Sequence, residues 1–360
     1  MAAEQTAPEG INAAPVTQWL VDTLPTSGGG SVEPPLEFVL IAGGRSNLTY
    51  GVTDASGRKL VLRRPPISHV LATAHDMGRE HRIISALAKS DVPVAPALGL
   101  CTDDAVNGAP FYIMDFVEGN ILRTAKEVEA ALDDKAQRVA GEDLVDVLVR
   151  LHEVDVDAVG LGDLGRRDGY LERQLKRWYG QFQKSQEQEQ EAGVFRPAPI
   201  VDEVHKMLVE RAPKQQGVAI VHGDYRLDNT VIGDDGKVQA VLDWELCTLG
   251  DPLADVGILL AYWTDRDESG GVPGMGAATT APGFPQRAEL AELYAGRSAL
   301  DLSVLPYYVA FAYWKLACIV EGVYVRYASG AMGKQDSSSQ LFAGMVIDRA
   351  EKAKSALSDL

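Results

Sequence analysis

The chain has 360 residues, of which 46% are hydrophobic and 24% are charged; this composition is typical of a folded protein and argues against a disordered or fibrous chain. Acidic residues outnumber basic ones by 51 to 34, so the net charge is −17. Because nucleic acids and anionic membranes attract basic surfaces, this charge disfavours both as partners. Three widely spaced cysteines argue against a disulfide scaffold, and we expect a cytoplasmic location.

The first 34 residues are rich in alanine, proline, glycine and serine, and they predict a loosely held N-terminal arm with one short helix over 16–24. Residues 35–117 have a different pattern. The runs EFVLIAGG, LTYGVTD and KLVLRRPP predict three strands, and a helix is predicted over 77–90. Two further strands, ALGLCTD and PFYIMDF, are predicted on either side of an Asn107-Gly108 turn. This region is therefore predicted to be a small antiparallel sheet with one inserted helix.

Residues 118–360 are predicted to be mostly helical, with three short strands between 218 and 242. A polar helix over 171–190 is predicted to be exposed. The apolar stretch 304–325 is interrupted by a proline, a lysine and a glutamate, so it predicts a buried helix rather than a membrane span. The sequence thus indicates an α+β fold in which a sheet precedes a larger helical part.

The segment VHGDYRLDNTVIGDDGKVQAVLDWE is the most informative part of the sequence. Asp224 and Asn229 are five residues apart, and Asp243 follows Asp224 by 19 residues. Phosphoryl transfer needs a carboxylate that accepts the proton of the attacking hydroxyl, and carboxylate and amide oxygens that hold Mg²⁺. Arg226 could neutralise charge that develops on the transferred group. The combination therefore predicts phosphoryl transfer, with Asp224 and Arg226 as catalytic candidates.

HGDYRLDN followed by LDWE resembles the aminoglycoside phosphotransferase and choline kinase-like family, whose members are relatives of the protein kinases. The wider pattern LRRPP…HGDYRLDN…DWELCTLGDPLADVG resembles the branch whose kinase-like domains are fused to acyl-CoA dehydrogenases. The resemblance covers about residues 36–330, and it implies a two-lobed protein kinase-like fold that binds ATP and Mg²⁺. It also implies that Asp224 is the catalytic base and that Asn229 and Asp243 are metal ligands, while His222 braces the loop.

A kinase-like lobe carries a cation on its third strand for the nucleotide phosphates, and a helix glutamate holds that cation. Arg63 is at this place in KLVLRRPP, where protein kinases have lysine. In GREHRIISAL, Glu80 precedes apolar residues by three, four and seven positions, so its carboxylate is predicted on the apolar side of a helix. Because a buried carboxylate without a partner is costly, Glu80 is predicted to pair with Arg63.

Two further segments supply candidate nucleotide contacts. IAGGRSNLTYGV joins the first two strands, and Ser46 and Asn47 could donate to phosphate oxygens. Phe116 and Val117 end the last strand of the sheet, where the resemblance implies a hinge whose backbone binds adenine. Asp251 is predicted to cap a helix, and Asp255 is predicted to support the catalytic loop from below.

The leading hypothesis is an ATP- and Mg²⁺-dependent phosphotransferase that acts on a hydroxyl of a small molecule. An acidic protein suits a cationic acceptor such as an aminoglycoside or an amino alcohol, whereas the resemblance to the dehydrogenase-linked branch suggests a hydroxyacyl compound. The acceptor pocket is predicted to lie in the helical part and to include the 167–185 region, the 264–286 loop and the aromatic run 307–314. Aromatic residues at helical spacing are more often core, so that alternative stays open for the aromatic run. A non-catalytic nucleotide-binding relative is the alternative. A protein kinase is disfavoured because no DFG or APE segment follows, and a metal hydrolase is disfavoured because too few histidines are present.

Overall fold

The structure, a computed structural model, describes residues 7–42, 47–67, 76–268, 277–329 and 338–358. The chain divides into two compact units. The first unit comprises Met1–Gly119 together with Gln239–Glu245, and the second comprises Asn120–Val238 and Leu246–Leu360. The return of a seven-residue segment to the first unit is not part of the sequence-based division at residue 117.

A five-stranded antiparallel sheet forms the first unit, in the order β1-β2-β3-β5-β4. Its strands are β1 (Glu37–Ala42), β2 (Leu48–Thr53), β3 (Lys59–Arg64), β4 (Ala97–Cys101) and β5 (Phe111–Asp115), and helix α2 (Met77–Leu87) lies between β3 and β4 in the chain. Arg63 of β3 is directly opposite Tyr112 of β5. Asp76 caps α2 by accepting a hydrogen bond from the Arg79 N–H at 3.0 Å.

Helix α1 (Ala13–Thr23) corrects the prediction of a loosely held arm. Val16 and Leu20 of this helix, and Leu24 after it, are completely buried in the same apolar core as the inner side chains of the sheet. Their spacing of four residues places them on one helix face, and burial of that face offsets the entropy of ordering the segment. The Tyr50 hydroxyl donates to the Glu9 carbonyl at 2.6 Å and holds the chain that precedes the helix.

The segment between β4 and β5 is not the two-residue turn that the sequence predicts. The chain forms a single helical turn, α3 (Asp104–Asn107), and Gly108 ends it in the left-handed conformation with φ 70°. Asp103 caps this turn by accepting from the Ala105 N–H at 2.9 Å. The aspartates before Asn107 favour a capped helical turn over a two-residue hairpin. The Asn107-Gly108 pair alone does not reveal this, because the capping residues precede it.

Helices dominate the second unit. They are α4 (Ala125–Ala131), α5 (Asp134–Glu153), α6 (Tyr170–Ala192), α7 (Pro199–Glu210), α8 (Leu253–Tyr262), α9 (Arg287–Arg297), α10 (Leu305–Ala328) and α11 (Ser338–Ser358). Strands β6 (Ala219–Val221) and β9 (Thr248–Gly250) form an antiparallel pair. Strand β7 (Thr230–Ile232) follows the segment that carries the catalytic candidates, and β8 (Val238–Val241) runs on into residues of the first unit.

Helix α10 is the central helix of the second unit and packs against α6, α7, α8 and α11. Among the described residues, the segment Leu302–Ala328 is long and apolar enough to cross a membrane by length and composition, but 72% of its most apolar window is buried inside the fold. The prediction of a buried helix over 304–325 is confirmed. Helix α6 is not the exposed helix predicted, because Leu175, Trp178 and Phe182 bury one face of it.

Candidate active site

The loop after β6 is held by a buried aspartate of α8. The backbone N–H groups of His222 and Gly223 donate to Asp255 at 2.6 and 2.8 Å, and both Asp255 and His222 are completely buried. Burial opposes ionisation of Asp255, but its hydrogen bonds and the nearby His152 keep its pKa below the ordinary value. The predicted support of the loop by Asp255 is therefore confirmed.

Two local features fix the shape of this loop. Gly223 has φ 85°, and a Cβ at this position would lie 3.0 Å from the Leu246 carbonyl oxygen, so the turn requires glycine. The His222 Nδ1 accepts from the Asp224 N–H at 3.2 Å. His222 thus braces the loop from a buried position, as its sequence context predicts.

The Asp224 carboxylate is oriented by two neighbouring side chains. The Asn229 Nδ2 donates to the Asp224 carbonyl oxygen at 2.8 Å and to its Oδ2 at 2.9 Å. The Arg226 Nε is 3.3 Å from the same Oδ2, and its Nη1 is 3.0 Å from the Asp228 Oδ2. The Arg226 guanidinium also lies 4.7 Å from the centre of the Tyr262 ring. A partly exposed carboxylate held in one orientation is suited to accept a proton from a bound hydroxyl.

Asn229 presents its amide in the orientation that a cation needs. Its Nδ2 hydrogens face Asp224, which leaves the Oδ1 oxygen for a metal. Mg²⁺ prefers oxygen ligands and usually takes only one or two carboxylates, completing its shell with phosphates and water. Among the described residues no cluster of three or more histidine, cysteine or acidic residues could hold a metal. The free amide oxygen of Asn229 is therefore of the ligand type that suits Mg²⁺ bound with a nucleotide.

The first unit brings together the second group of predicted residues. The Arg63 Nε lies 3.5 Å from the Glu80 Oε2, and its Nη2 donates to the Asp243 Oδ1 at 3.0 Å. The side chains of Arg63 and Glu80 are only 10% and 3% exposed, so the predicted buried pair is confirmed. Glu80 also accepts from the Tyr112 hydroxyl at 3.1 Å and from the Asn47 Nδ2 at 2.5 Å.

This network keeps Arg63 charged. Burial opposes its charge, but Tyr112 and the carboxylates of Glu80 and Asp243 raise the pKa of Arg63 above its ordinary value. Burial raises the pKa of Glu80, and Arg63 offsets only part of that rise. The first unit therefore holds a fixed cation against two carboxylates, as an arginine fork allows.

Asp243 has an unusual backbone conformation. Its φ is 65°, and it is the only residue other than glycine with positive φ in the part of the chain that the structure describes. Such strained conformations cluster at functional sites, and aspartate tolerates this region better than bulkier residues do. The conformation directs the Asp243 carboxylate to Arg63.

The remaining candidates for nucleotide contacts are the residues of the β1–β2 segment and those that follow β5. Ser46 lies outside the described residues. Asn47 is buried with its amide on Glu80, so only its backbone stays a candidate for phosphate. Phe116 is 36% exposed and Val117 is partly exposed, directly after β5; their contact with adenine stays a prediction.

Among the segments predicted for the acceptor pocket, the aromatic run of α10 packs into the core. Tyr307, Tyr308 and Trp314 are buried and donate to the Leu208 carbonyl, the Asp251 carboxylate and the Val201 carbonyl. Asp251 also accepts from the Leu253 N–H at 3.1 Å, which confirms its capping role. These aromatic residues are core.

Sequence reasoning missed three residues around the loop of Asp224, which are Asp228, Tyr262 and Lys315, and one residue beside Glu80 in the first unit, which is Tyr112. Only Lys315 carries a signal in the sequence, because it is one of two charged residues that interrupt the apolar stretch 304–325. The other three lie in patterns that equally suit an ordinary strand, loop or helix.

Comparison with known proteins agrees with this geometry. The model of the phosphotransferase enzyme family (APH) matches residues 37–293. A crystal structure from Ralstonia eutropha JMP134, named as an aminoglycoside phosphotransferase, is 29% identical with a TM-score of 0.76, and the match covers 96% of this chain and 97% of that one. The aminoglycoside phosphotransferase APH(4)-Ia in complex with ADP and hygromycin B shares the fold, with a TM-score of 0.57 at 14% identity over 96% of this chain and 98% of that one.

Relatives known by sequence belong to longer proteins. Acyl-CoA dehydrogenase family member 10 of Mus musculus is 34% identical over 82% of this chain, and member 11 of Homo sapiens is 32% identical over 90% of it. The match spans only 27% and 40% of these two relatives. The predicted resemblance and the α+β, two-lobed kinase-like fold are both confirmed. The chain belongs to the phosphotransferase enzyme family.

Proposed function

We propose that this protein is an ATP- and Mg²⁺-dependent phosphotransferase that moves the γ-phosphate to a hydroxyl of a small molecule. Membership of the family and the kinase-like fold support small-molecule kinase activity. The observation that carries the proposal is the Asp224 carboxylate, which Asn229 and Arg226 hold in one orientation on a loop braced by Asp255.

In this mechanism Asp224 accepts the proton of the acceptor hydroxyl as its oxygen attacks the γ-phosphorus. Arg226 orients the Asp224 carboxylate before transfer and neutralises negative charge that develops on the transferred group. Arg63 binds nucleotide phosphate oxygens, with Glu80 fixing its fork. Asn229 and Asp243 would hold Mg²⁺, which when bound neutralises phosphate charge. The bond to the ADP oxygen breaks as the bond to the acceptor oxygen forms.

The acceptor class stays open among an aminoglycoside, an amino alcohol and a hydroxyacyl compound. Names of solved relatives include an aminoglycoside phosphotransferase complex with hygromycin B and an ethanolamine kinase, and the relatives known by sequence carry the names of acyl-CoA dehydrogenases. A cytoplasmic location is part of the proposal and suits the three cysteines, which are free thiols.

The alternative function is a non-catalytic nucleotide-binding relative. Arginine at position 63, where protein kinases have lysine, favours this alternative because its planar fork is committed to two carboxylates. The oriented Asp224 opposes it, because binding alone does not require a held proton acceptor.

A panel of the three acceptor classes, each assayed by ADP release from ATP and Mg²⁺, tests the proposal. Asp224→Asn is the informative variant, because it keeps the size of the side chain and removes the base. Turnover with the accepted substrate should fall about 10²–10⁴-fold, the range for loss of a positioned base, while nucleotide binding persists. Equal turnover of variant and wild type would remove Asp224 as the base.

A further inference from the structure

A lysine in the core of the second unit touches the catalytic loop from below. Lys315 lies in the middle of α10 and is 5% exposed. Its Nζ donates to the Gly223 carbonyl oxygen at 2.5 Å and lies 5.1 Å from the centre of the Trp178 ring. Gly223 immediately precedes Asp224, so this contact is one peptide away from the proposed base.

This burial is costly for an ammonium group. Among the described residues no carboxylate is within ion-pair distance of the Lys315 Nζ; the ammonium has a backbone carbonyl and an aromatic face instead. The charged groups that face it are Asp224 on the loop, Asp255 on α8 and Arg177 on α6. A methionine would fill the same space without the desolvation cost, so packing alone does not account for a lysine here.

The Gly223–Asp224 peptide is held at both ends of its dipole. Its carbonyl, that of Gly223, accepts from Lys315, and its N–H, that of Asp224, donates to the His222 Nδ1. Because Gly223 has positive φ, the peptide could rotate at little steric cost if one of these contacts were lost. Rotation of that peptide would move the Asp224 side chain away from the orientation that Asn229 and Arg226 select.

We propose that Lys315 is a positioning residue for phosphoryl transfer, fixing the Gly223 peptide so that Asp224 stays aligned with the acceptor hydroxyl. This inference rests on the proposed function. Lys315 contacts neither nucleotide nor acceptor in this role. It acts through the loop. Burial of its charge lowers the stability of the fold, and in return Asp224 is held in the orientation that transfer needs.

The ionisation of Lys315 gives the proposal a pH signature. Burial lowers the pKa of Lys315 to about 8, while Asp224 and Asp255 favour its charge. Above that pH the ammonium loses its proton and the charge-assisted hydrogen bond to Gly223 weakens. Because the folded state releases this proton more readily than the unfolded chain, stability rises across the same range. Turnover and stability should therefore change in opposite directions.

Three variants test the assignment with a substrate that the acceptor panel identifies, or with the ATPase rate in water if no acceptor reacts. Lys315→Met should lower kcat about 10²-fold, the effect of a small misplacement, with little change in KM for ATP. Its Tm should equal or exceed that of the wild type. Lys315→Arg, if it restores part of kcat, should also remove the fall in kcat above about pH 8. Lys184→Met, on the exposed side of α6, is the matched control and should leave kcat unchanged.

Hydrogen exchange of the loop gives a readout that needs no activity. The amides of Gly223 and Asp224 should exchange faster in Lys315→Met than in the wild type, with α8 unchanged. Unchanged exchange, or wild-type kcat in Lys315→Met, would overturn the role of Lys315. Absence of any phosphotransfer or ATPase activity in the wild type would overturn the proposed function instead, and the exchange result would still decide whether Lys315 holds the loop.

Discussion

At the residue scale, burial identifies the ion pair that anchors the first unit. Glu80 falls on the apolar side of its helix, so the sequence alone demands a buried cation, and the structure supplies Arg63 at 3.5 Å. Asp243 is the partner that the sequence does not link to Arg63. Its contact depends on a segment 180 positions along the chain and on a left-handed backbone, neither of which is visible in a local pattern.

A double-mutant cycle on this pair is the first prediction. Arg63→Met should lower the free energy of unfolding by about 3–5 kcal/mol, because it leaves the buried Glu80 without its counter-charge. Glu80→Gln should lower it by less, because Asp243 still pairs with Arg63 at 3.0 Å. The double variant should lose less than the sum, since both changes break one interaction. Chemical denaturation of the wild type, the two single variants and the double variant measures these free energies of unfolding.

The same variants separate the functional role of the pair. Both single changes should weaken ATP binding, because Glu80 fixes the Arg63 fork for the phosphates. Lys89→Met, at an exposed position just after α2, serves as the control. Strict additivity in stability together with unchanged ATP affinity would show that another basic residue binds the phosphates.

At the element scale, helix α1 is present where a short helix is predicted, but its docking on the sheet is not expected. Its composition resembles that of a disordered arm, yet an apolar side chain at every fourth position suffices to dock it on the sheet. Composition averages over the helix and therefore hides this spacing.

Truncation of this helix face is the second prediction. Leu20→Ala should lower the free energy of unfolding by about 2–5 kcal/mol, as for other fully buried leucines. Gln18→Ala, on the exposed side of α1, should change it by less than about 0.5 kcal/mol. Equal effects of the two substitutions, measured by denaturant titration, would mean that α1 contributes no core.

A buried carboxyl pair joins α6 and α10. Glu189 and Glu321 are both completely buried, and the Arg196 Nη2 lies 2.6 Å from the Glu321 Oε2. Burial and Glu189 raise the pKa of Glu321 to about 8, against the attraction of Arg196. Because this pKa is above the unfolded value, the associated stability is present at low pH and is lost as pH rises through about 8.

The third prediction follows from this direction of the pH dependence of stability. Glutamine at position 321 cannot release a proton, so Glu321→Gln does not share the loss of stability that the wild type shows as pH rises. The Tm of the variant minus the Tm of the wild type should therefore increase from about pH 5 to about pH 9. Glu203→Gln on α7, which is partly exposed, should show no such trend. A pH-independent difference in Tm for Glu321→Gln would show that Glu321 keeps one protonation state over this range.

At the scale of the whole molecule, local patterns predict the sheet, the buried α10 and the loop that carries Asp224. They do not predict how Asp228, Tyr262 and Lys315 surround that loop, because these residues come from separate helices or carry no spacing signal. Of the segments predicted for the acceptor pocket, the aromatic run of α10 is core, the alternative that its helical spacing left open. Long-range packing decides such features, and a single sequence records it only where a polar residue interrupts an apolar run.

In the proposed function, Asp224 and a magnesium-bound nucleotide perform phosphoryl transfer to a hydroxyl. Phosphorus NMR of one mixture of ATP, Mg²⁺ and the accepted small molecule follows this transfer, with wild type and Asp224→Asn compared. For the wild type, a phosphomonoester signal of the acceptor should grow together with the ADP signals and should not form when a chelator removes Mg²⁺. In the variant this signal should grow about 10²–10⁴-fold more slowly. Bound ATP that stays intact across the whole acceptor panel would overturn catalysis by Asp224 and support a nucleotide-binding relative without catalysis.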